Sequence, residues 1–152
     1  MEIRLRLNGQ DIALDVAPDE TLQHALRWTA GIESARSTCG IGVCGACAVL
    51  VDGRVMSSCL ILAPLADGRA IETVEALPED DPVIAAFVAE TAFQCSYCTP
   101  GFVIAVKALL ADDPDPNEAT IRERLSGNLC RCGSYDAIVA ATQRAARAAR
   151  RT

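Results

Sequence analysis

The first residues of the chain alternate between apolar and polar, as in strands that bury one face. Residues 3–7 alternate, Asn8-Gly9 follows, and the alternation resumes over residues 12–16. This period-two pattern indicates strands. Because Asn-Gly favours the tight two-residue turns of hairpins, the pattern predicts a β-hairpin at the start of the chain.

The rest of the first half adds a helix, a second hairpin and one more strand. Apolar residues recur at helical spacing over residues 21–30, and Gly31 is a suitable C-terminal stop. Residues 48–56 alternate around Asp52-Gly53, and residues 71–74 form a short strand-like run. The first half is therefore predicted to be a small mixed sheet with one helix.

The second half carries helical signals only. Asp81-Pro82 and Thr99-Pro100 each combine an N-cap residue with proline at the first helical position, and the helices that they start end near residues 92 and 110. Aspartates and prolines at residues 112–116 interrupt the pattern. Two more helices are predicted over residues 117–125 and 135–150.

The change of pattern near Leu77-Pro78 predicts two domains, residues 1–77 and 78–152. Domains of roughly 75 residues bury too little surface to be stable without help. Covalent or metal staples are therefore expected, and the eight cysteines are their obvious source.

Charge and hydropathy limit the partners and the compartment. The formal net charge is −6 and the pI is about 4.7, which argues against nucleic acid as the main partner. No apolar run approaches the ~20 residues of a membrane span, and the N-terminus lacks the apolar core of a signal peptide. We expect no membrane insertion and a cytoplasmic protein. A complex exported to the periplasm through a signal on another subunit is the alternative.

The eight cysteines divide into two groups of four, and four thiolates are what a [2Fe–2S] cluster needs. The first three have the C-x4-C-x2-C spacing of plant-type ferredoxins. Soft thiolate ligands select iron–sulfur clusters, zinc or Cu(I). The ligands predicted for an N-terminal [2Fe–2S] cluster are Cys39, Cys44, Cys47 and Cys59, and those for a C-terminal [2Fe–2S] cluster are Cys95, Cys98, Cys130 and Cys132.

Three glycines, Gly40, Gly42 and Gly45, lie between the first three cysteines. Glycine lets the backbone approach sulfur closely and adopt positive φ, so we assign these residues to a cluster-binding loop. The same glycines spell G-x-G-x-x-G, but a dinucleotide site needs a strand before the motif and a helix opening inside it. Here cysteines interleave and a hairpin follows, which disfavours that interpretation.

Zinc and disulfides are the alternatives to iron–sulfur clusters. Cys95 and Cys98 suit a structural zinc site, whereas Cys130-Arg131-Cys132 is unusually tight for one. Disulfides are disfavoured because cysteine makes up only about 5% of the chain and no signal peptide is evident. His24 is the only histidine, and no paired carboxylates stand in a recognisable frame, so no catalytic residue is predicted.

Three motifs resemble the small subunit of the molybdenum hydroxylases, the group of xanthine dehydrogenase, aldehyde oxidoreductase, CO dehydrogenase and isoquinoline oxidoreductase. They are CGIGVCGAC at residues 39–47, QCSYCTPG at residues 94–101 and GNLCRC at residues 127–132. The resemblance covers essentially the whole chain. It implies an α+β fold in which an N-terminal β-grasp (2Fe-2S ferredoxin-like) domain precedes a C-terminal four-helix [2Fe–2S]-binding domain.

The same resemblance implies an electron-transfer subunit of an enzyme that oxidises aldehydes or N-heterocycles. Electrons would pass from the molybdenum centre of a large molybdopterin-binding subunit to the C-terminal cluster, then to the N-terminal cluster and an external acceptor. Gln94 would contact the pterin of a cofactor, expected to be molybdopterin cytosine dinucleotide, that the partner carries. The acceptor would be a cytochrome c or a flavin subunit.

Two departures from the family motifs accompany the resemblance. Ser96 stands where glycine is usual, and Gly133-Ser134-Tyr135 replaces the common Thr-Gly-Tyr. The second departure resembles flavin-free members of the isoquinoline oxidoreductase type, which use external cytochromes. A free-standing two-cluster electron carrier and a non-redox zinc module are the competing functions, and Gln94 with the apolar helix of residues 102–110 favours the subunit.

Overall fold

The computed structural model describes residues 1–150; residues 151 and 152, which end the predicted second domain, lie outside the described part. The strands are β1 Glu2–Leu7, β2 Gln10–Asp15, β3 Ala48–Val51, β4 Arg54–Ser57 and β5 Ala70–Glu72. The α-helices are α1 Leu22–His24, α2 Pro82–Ala89, α3 Thr99–Asp112, α4 Glu118–Arg124 and α5 Tyr135–Ala149.

The strands form one mixed sheet in the order β2-β1-β5-β3-β4. Strand β1 pairs antiparallel with β2 and parallel with β5, while β3 is antiparallel to both of its neighbours. Both predicted hairpins are confirmed. Their turn residues, Asn8-Gly9 and Asp52-Gly53, all have positive φ, as type I′ turns require.

Two predictions in this half need correction. The predicted helix over residues 21–30 is α-helical only as α1 and continues as a π-helix, Ala25–Thr29. The predicted strand over residues 71–74 is β5, which stops at Glu72, because the Thr73 N–H donates to the Asn8 side chain (2.9 Å) instead of to a strand. A 3₁₀ turn, Val74–Ala76, follows.

The second half contains the four predicted helices, α2 to α5, with two changes at their ends. Helix α2 stops at Ala89 rather than near residue 92, since Thr91 has a left-handed φ of 48°. Thr99 is not the N-cap of α3; it is the first helical residue, and Cys98 occupies the cap position. Asp81 does cap α2, with its Oδ1 accepting from the Val83 N–H at 2.9 Å.

Each half has its own hydrophobic core. Leu22 and Leu26 are fully buried with the inner face of β1 in the first, and Phe87 and Phe102 are buried among the four helices in the second. The cysteine-bearing loops lie where the two halves meet. None of the helices within residues 1–150 has the length and apolar composition that crossing a bilayer requires.

Candidate metal centres

Cys39, Cys44, Cys47 and Cys59, called here the N-terminal thiol group, come together between the loop before β3 and the 3₁₀ turn Ser58–Leu60 that follows β4. Their thiols are neighbours in two pairs, Cys39 with Cys44 and Cys47 with Cys59. Ser58 fixes the turn to the loop, because its hydroxyl donates to the Cys47 carbonyl at 2.7 Å. The structure therefore brings all four predicted ligands of this half into one place.

The loop around Cys39 is rich in inward N–H groups. Its three glycines have φ of 68°, 73° and 69°, as expected for a loop that turns its amides towards sulfur. The backbone N–H groups of Ile41, Cys44 and Val43 stabilise the Cys39 thiolate and lower the pKa of Cys39 to about 6. The Cys39 end of the N-terminal thiol group therefore stabilises negative charge on sulfur.

The opposite end of the N-terminal thiol group is less polar. Burial, followed by the hydrogen bond to Cys47, raises the pKa of Cys59 to about 11. A ligand thiol must lose its proton, so at Cys59 the charge of a bound metal has to drive deprotonation.

The C-terminal thiol group comprises Cys95, Cys98, Cys130 and Cys132, on the α2–α3 and α4–α5 loops. Here Cys95 pairs with Cys132 and Cys98 pairs with Cys130. Tyr135, the first residue of α5, holds the second loop, because its hydroxyl accepts from the Cys130 N–H at 2.9 Å.

The C-terminal thiol group also contains thiols whose pKa is raised and thiols whose pKa is lowered. Burial and the neighbouring Cys130 raise the pKa of Cys98 to about 12. The N–H of Tyr97 lowers the pKa of the exposed Cys95. Burial opposes ionisation of Cys130, yet hydrogen bonds from Ser134 and Cys98 outweigh it, so the pKa of Cys130 is also lowered.

The arrangement of the thiols fits a two-iron centre. The four thiols of each group would supply the two thiolates that each iron of a [2Fe–2S] cluster takes, whereas zinc takes four ligands on one ion. The buried Thr99 hydroxyl, next to Cys98 in the sequence, has no hydrogen-bond partner within residues 1–150, and an acceptor such as a cluster sulfide would satisfy it.

Gln94 lies at the outer edge of the C-terminal thiol group. It is exposed, and its Nε2 is 3.5 Å from the Cys132 carbonyl oxygen. Cys95 beside it is exposed as well, and so are the side chains of Tyr97 and Leu129. This thiol group therefore reaches the molecular surface at the position where sequence reasoning expected a partner.

The two thiol groups touch through their backbones. The Leu129 N–H, one residue before Cys130, donates to the Cys44 carbonyl at 2.9 Å. The buried Asn128 side chain donates to the Gly45 carbonyl at 3.2 Å. A single hydrogen bond thus links Cys44, in the N-terminal thiol group, to Leu129, which precedes Cys130 of the C-terminal thiol group.

Comparison with known proteins identifies the family. Residues 5–77 match the 2Fe-2S iron-sulfur cluster binding domain, and residues 73–143 match the [2Fe-2S] binding domain. One probable xanthine dehydrogenase subunit of Bacillus subtilis is 41% identical over 140 residues, which cover 91% of this chain and 81% of that protein. The chain belongs to the iron–sulfur small subunits of the molybdenum hydroxylases.

Two further relatives support this assignment to the small subunits. The small FeS subunit of nicotinate dehydrogenase from Eubacterium barkeri is 40% identical over 144 residues, covering 93% of this chain and 92% of that protein. Quinoline 2-oxidoreductase from Pseudomonas putida 86 contains a chain with a TM-score of 0.95 and 40% identity, covering 99% of this chain and 96% of that one. The family and the α+β fold inferred from the motifs are confirmed.

The structure explains the departures of this small subunit from the family motifs. Ser96 has a φ of 61°, in the left-handed region that favours glycine. In the other motif Gly133, at φ 79°, occupies the left-handed position, while Ser134 has a φ of −74°. In Gly133-Ser134-Tyr135, the glycine therefore occupies the position with left-handed backbone. At position 96, a serine adopts the left-handed conformation that the usual glycine would adopt without strain.

We predict that Ser96→Gly stabilises the cluster-loaded subunit by about 1 kcal/mol, because it relieves left-handed strain. Gly133→Ala is the matched opposite: a methyl group there meets no atom within 4 Å, so only the strain at φ 79° is added, at a cost of about 1 kcal/mol. Chemical unfolding of both variants measures the two effects. A destabilised Ser96→Gly variant would contradict the strain argument.

Several supporting residues escaped sequence reasoning. Ser58, Asn128 and Tyr135 each fix a cysteine-bearing loop, but nothing in the sequence names their partners. Asn128 and Tyr135 lie within the motifs GNLCRC and Gly133-Ser134-Tyr135, and Ser58 directly precedes Cys59, so their positions beside the cysteines are the signal that could have marked them.

Proposed function

We propose that the chain holds two [2Fe–2S] clusters and relays electrons from the molybdenum centre of a large partner subunit to an external acceptor. The N-terminal ligands are Cys39, Cys44, Cys47 and Cys59, and the C-terminal ligands are Cys95, Cys98, Cys130 and Cys132. We assign the two clusters to separate domains, residues 1–77 and 78–152. The proposal rests on one observation: two groups of four neighbouring thiols lie in loops that the Leu129–Cys44 hydrogen bond joins.

The positions of the thiol groups suggest a direction. A bound [2Fe–2S] cluster supplies a one-electron carrier, and the chain sets its spacing and its hydrogen bonds. Cys95 is exposed beside Gln94, so the C-terminal thiol group is suited to receive electrons from a docked partner. The hydrogen bond from the Leu129 N–H to the Cys44 carbonyl joins the loop of the C-terminal thiol group to that of the N-terminal thiol group. The N-terminal thiol group is therefore suited to receive electrons from the C-terminal one and pass them to the acceptor.

Gln94 is the residue that we assign to the partner's cofactor. Its amide is exposed within 3.5 Å of the Cys132 carbonyl, so it can hydrogen-bond to a pterin, which we take to be that of molybdopterin cytosine dinucleotide. In the assembled complex, Gln94→Ala should slow reduction of the C-terminal cluster by substrate without loss of iron. An unchanged rate would rule out this contact.

The remaining assignments concern the surroundings of the complex. We propose that the acceptor is a cytochrome c or a flavin subunit. The proposed compartment is the cytoplasm, unless the complex is exported by a signal on another of its chains. Purification of the native complex, with identification of every subunit, tests these assignments. A chain that purifies without a molybdenum-bearing partner would favour a free-standing carrier instead.

Metal analysis of the purified complex tests the central proposal. We expect iron and acid-labile sulfide in equal amounts, and two distinct EPR signals after dithionite reduction. Two signals are expected because the thiol groups differ in burial and in N–H donors, which set the potential and the electronic structure of a cluster. Zinc or disulfides at the cysteines would refute the electron-relay function.

A further inference from the structure

One half-buried arginine, Arg36, contacts the loops of both thiol groups. The backbone N–H of Arg36 donates to the carbonyl of Ala46, between Cys44 and Cys47, at 3.2 Å. Its guanidinium lies over the ring of Tyr97, between Cys95 and Cys98, with 5.3 Å from Cζ to the ring centroid. One residue therefore contacts the cysteine-bearing loops of both domains.

Within residues 1–150, no carboxylate compensates the charge of this arginine. Its Nε is buried and has no hydrogen-bond partner, and no carboxylate in residues 1–150 forms an ion pair with it. Other arginines of the described chain do find carboxylates, as Arg124 does with Asp112 and Arg144 with Glu90. Burying the Nε–H donor without a partner is costly, and a neighbouring anion would compensate for that cost.

We propose that Arg36 is the counter-charge of both thiol groups and raises the reduction potentials of the clusters that they hold. Four thiolates give a [2Fe–2S] centre a net negative charge, which grows by one unit on reduction. A fixed cation therefore stabilises the reduced form more than the oxidised form. The inference rests on the proposed function, because it needs both clusters.

The size of the effect follows from Coulomb's law. If a unit charge lay about 10 Å from a cluster, at an effective dielectric constant of about 20, it would change the ratio of reduced to oxidised cluster by roughly tenfold. For a one-electron couple, tenfold corresponds to about 59 mV. Arg36 contacts both loops, so both potentials should move in the same direction.

An EPR-monitored redox titration of the assembled complex tests this role. We expect Arg36→Met and Arg36→Gln to make both midpoint potentials more negative, and Arg36→Lys, which keeps the charge, to stay near the parent. Arg147→Met is the matched control, because it removes an equal charge from the exposed face of α5 and should shift neither potential. Tyr97→Phe keeps the ring under the guanidinium and loses only the hydrogen bond to the Ser37 carbonyl, so it too should leave both potentials unchanged.

Each outcome decides the question. Unchanged potentials in both neutral variants would overturn the counter-charge role, and so would an equal shift in Arg36→Lys. Loss of iron from the neutral variants but not from Arg36→Lys would support it, whereas loss from all three would indicate a structural role and overturn it. If the parent complex itself lacked two clusters, the proposed function would fail first, a result separate from these.

Discussion

A complex carrying Cys44→Ser should still reduce its C-terminal cluster with substrate, but electron delivery to the acceptor should fall by on the order of 100-fold. Serine is a harder and weaker ligand than cysteine, so the N-terminal thiol group would lose or distort its cluster. The C-terminal thiol group lies nearer the expected partner, at the surface marked by Gln94, and its four cysteines are unchanged. Rapid-mixing absorption or EPR follows the first step, and steady-state turnover follows the second.

Cys95→Ser provides the mirror control for the same order. Substrate should then reduce neither site, while dithionite, which needs no route through the partner, should still reduce the N-terminal cluster. Iron analysis of both variants establishes which site is lost. If Cys44→Ser blocked reduction of the C-terminal cluster by substrate while both domains stayed folded, the proposed order of electron transfer would be wrong.

Features encoded by neighbouring residues could be predicted from the sequence. Asn8-Gly9 and Asp52-Gly53 demand positive φ by themselves, and both turns have it. The cysteine spacing and the glycines at 40, 42 and 45 likewise predict a local loop, and the structure forms it. Such features can be predicted without knowing distant contacts, because the residue types in a turn or loop largely determine its backbone conformation.

Features that depend on long-range contacts could not be predicted. Asn128 and Gly45 are 83 residues apart, and only the packing of the two domains brings them together. The lack of a hydrogen-bond partner for the buried Arg36 Nε could not be predicted from the sequence either, because it depends on which acceptors the fold places near it. The sequence therefore predicted local turns and loops, but not how the two cysteine-bearing loops contact each other.

Gly101→Ala should destabilise the protein by about 2 kcal/mol and separate the two thiol groups. Gly101 lies in the first turn of α3, where an added Cβ would overlap the Gly45 carbonyl and lie 3.3 Å from the Ala46 Cα. Both obstacles are backbone, so no side chain can rotate away, and overpacking of this kind costs roughly 1–3 kcal/mol. Alanine gains about 1 kcal/mol over glycine within a helix, but the clash should outweigh that gain.

The expected separation has its own spectroscopic signature. Moving α3 away from the loop around Gly45 would stretch the Leu129–Cys44 and Asn128–Gly45 hydrogen bonds, which hold the two loops together. The magnetic interaction between two reduced clusters falls steeply with distance, so their EPR splitting should shrink as the free energy of unfolding drops. Gly127→Ala is the matched control in the same interface: its φ is not left-handed and an added Cβ meets nothing within 4 Å, so both measurements should stay near the parent. Parent-like splitting and stability in Gly101→Ala would mean that this contact does not set the spacing of the thiol groups.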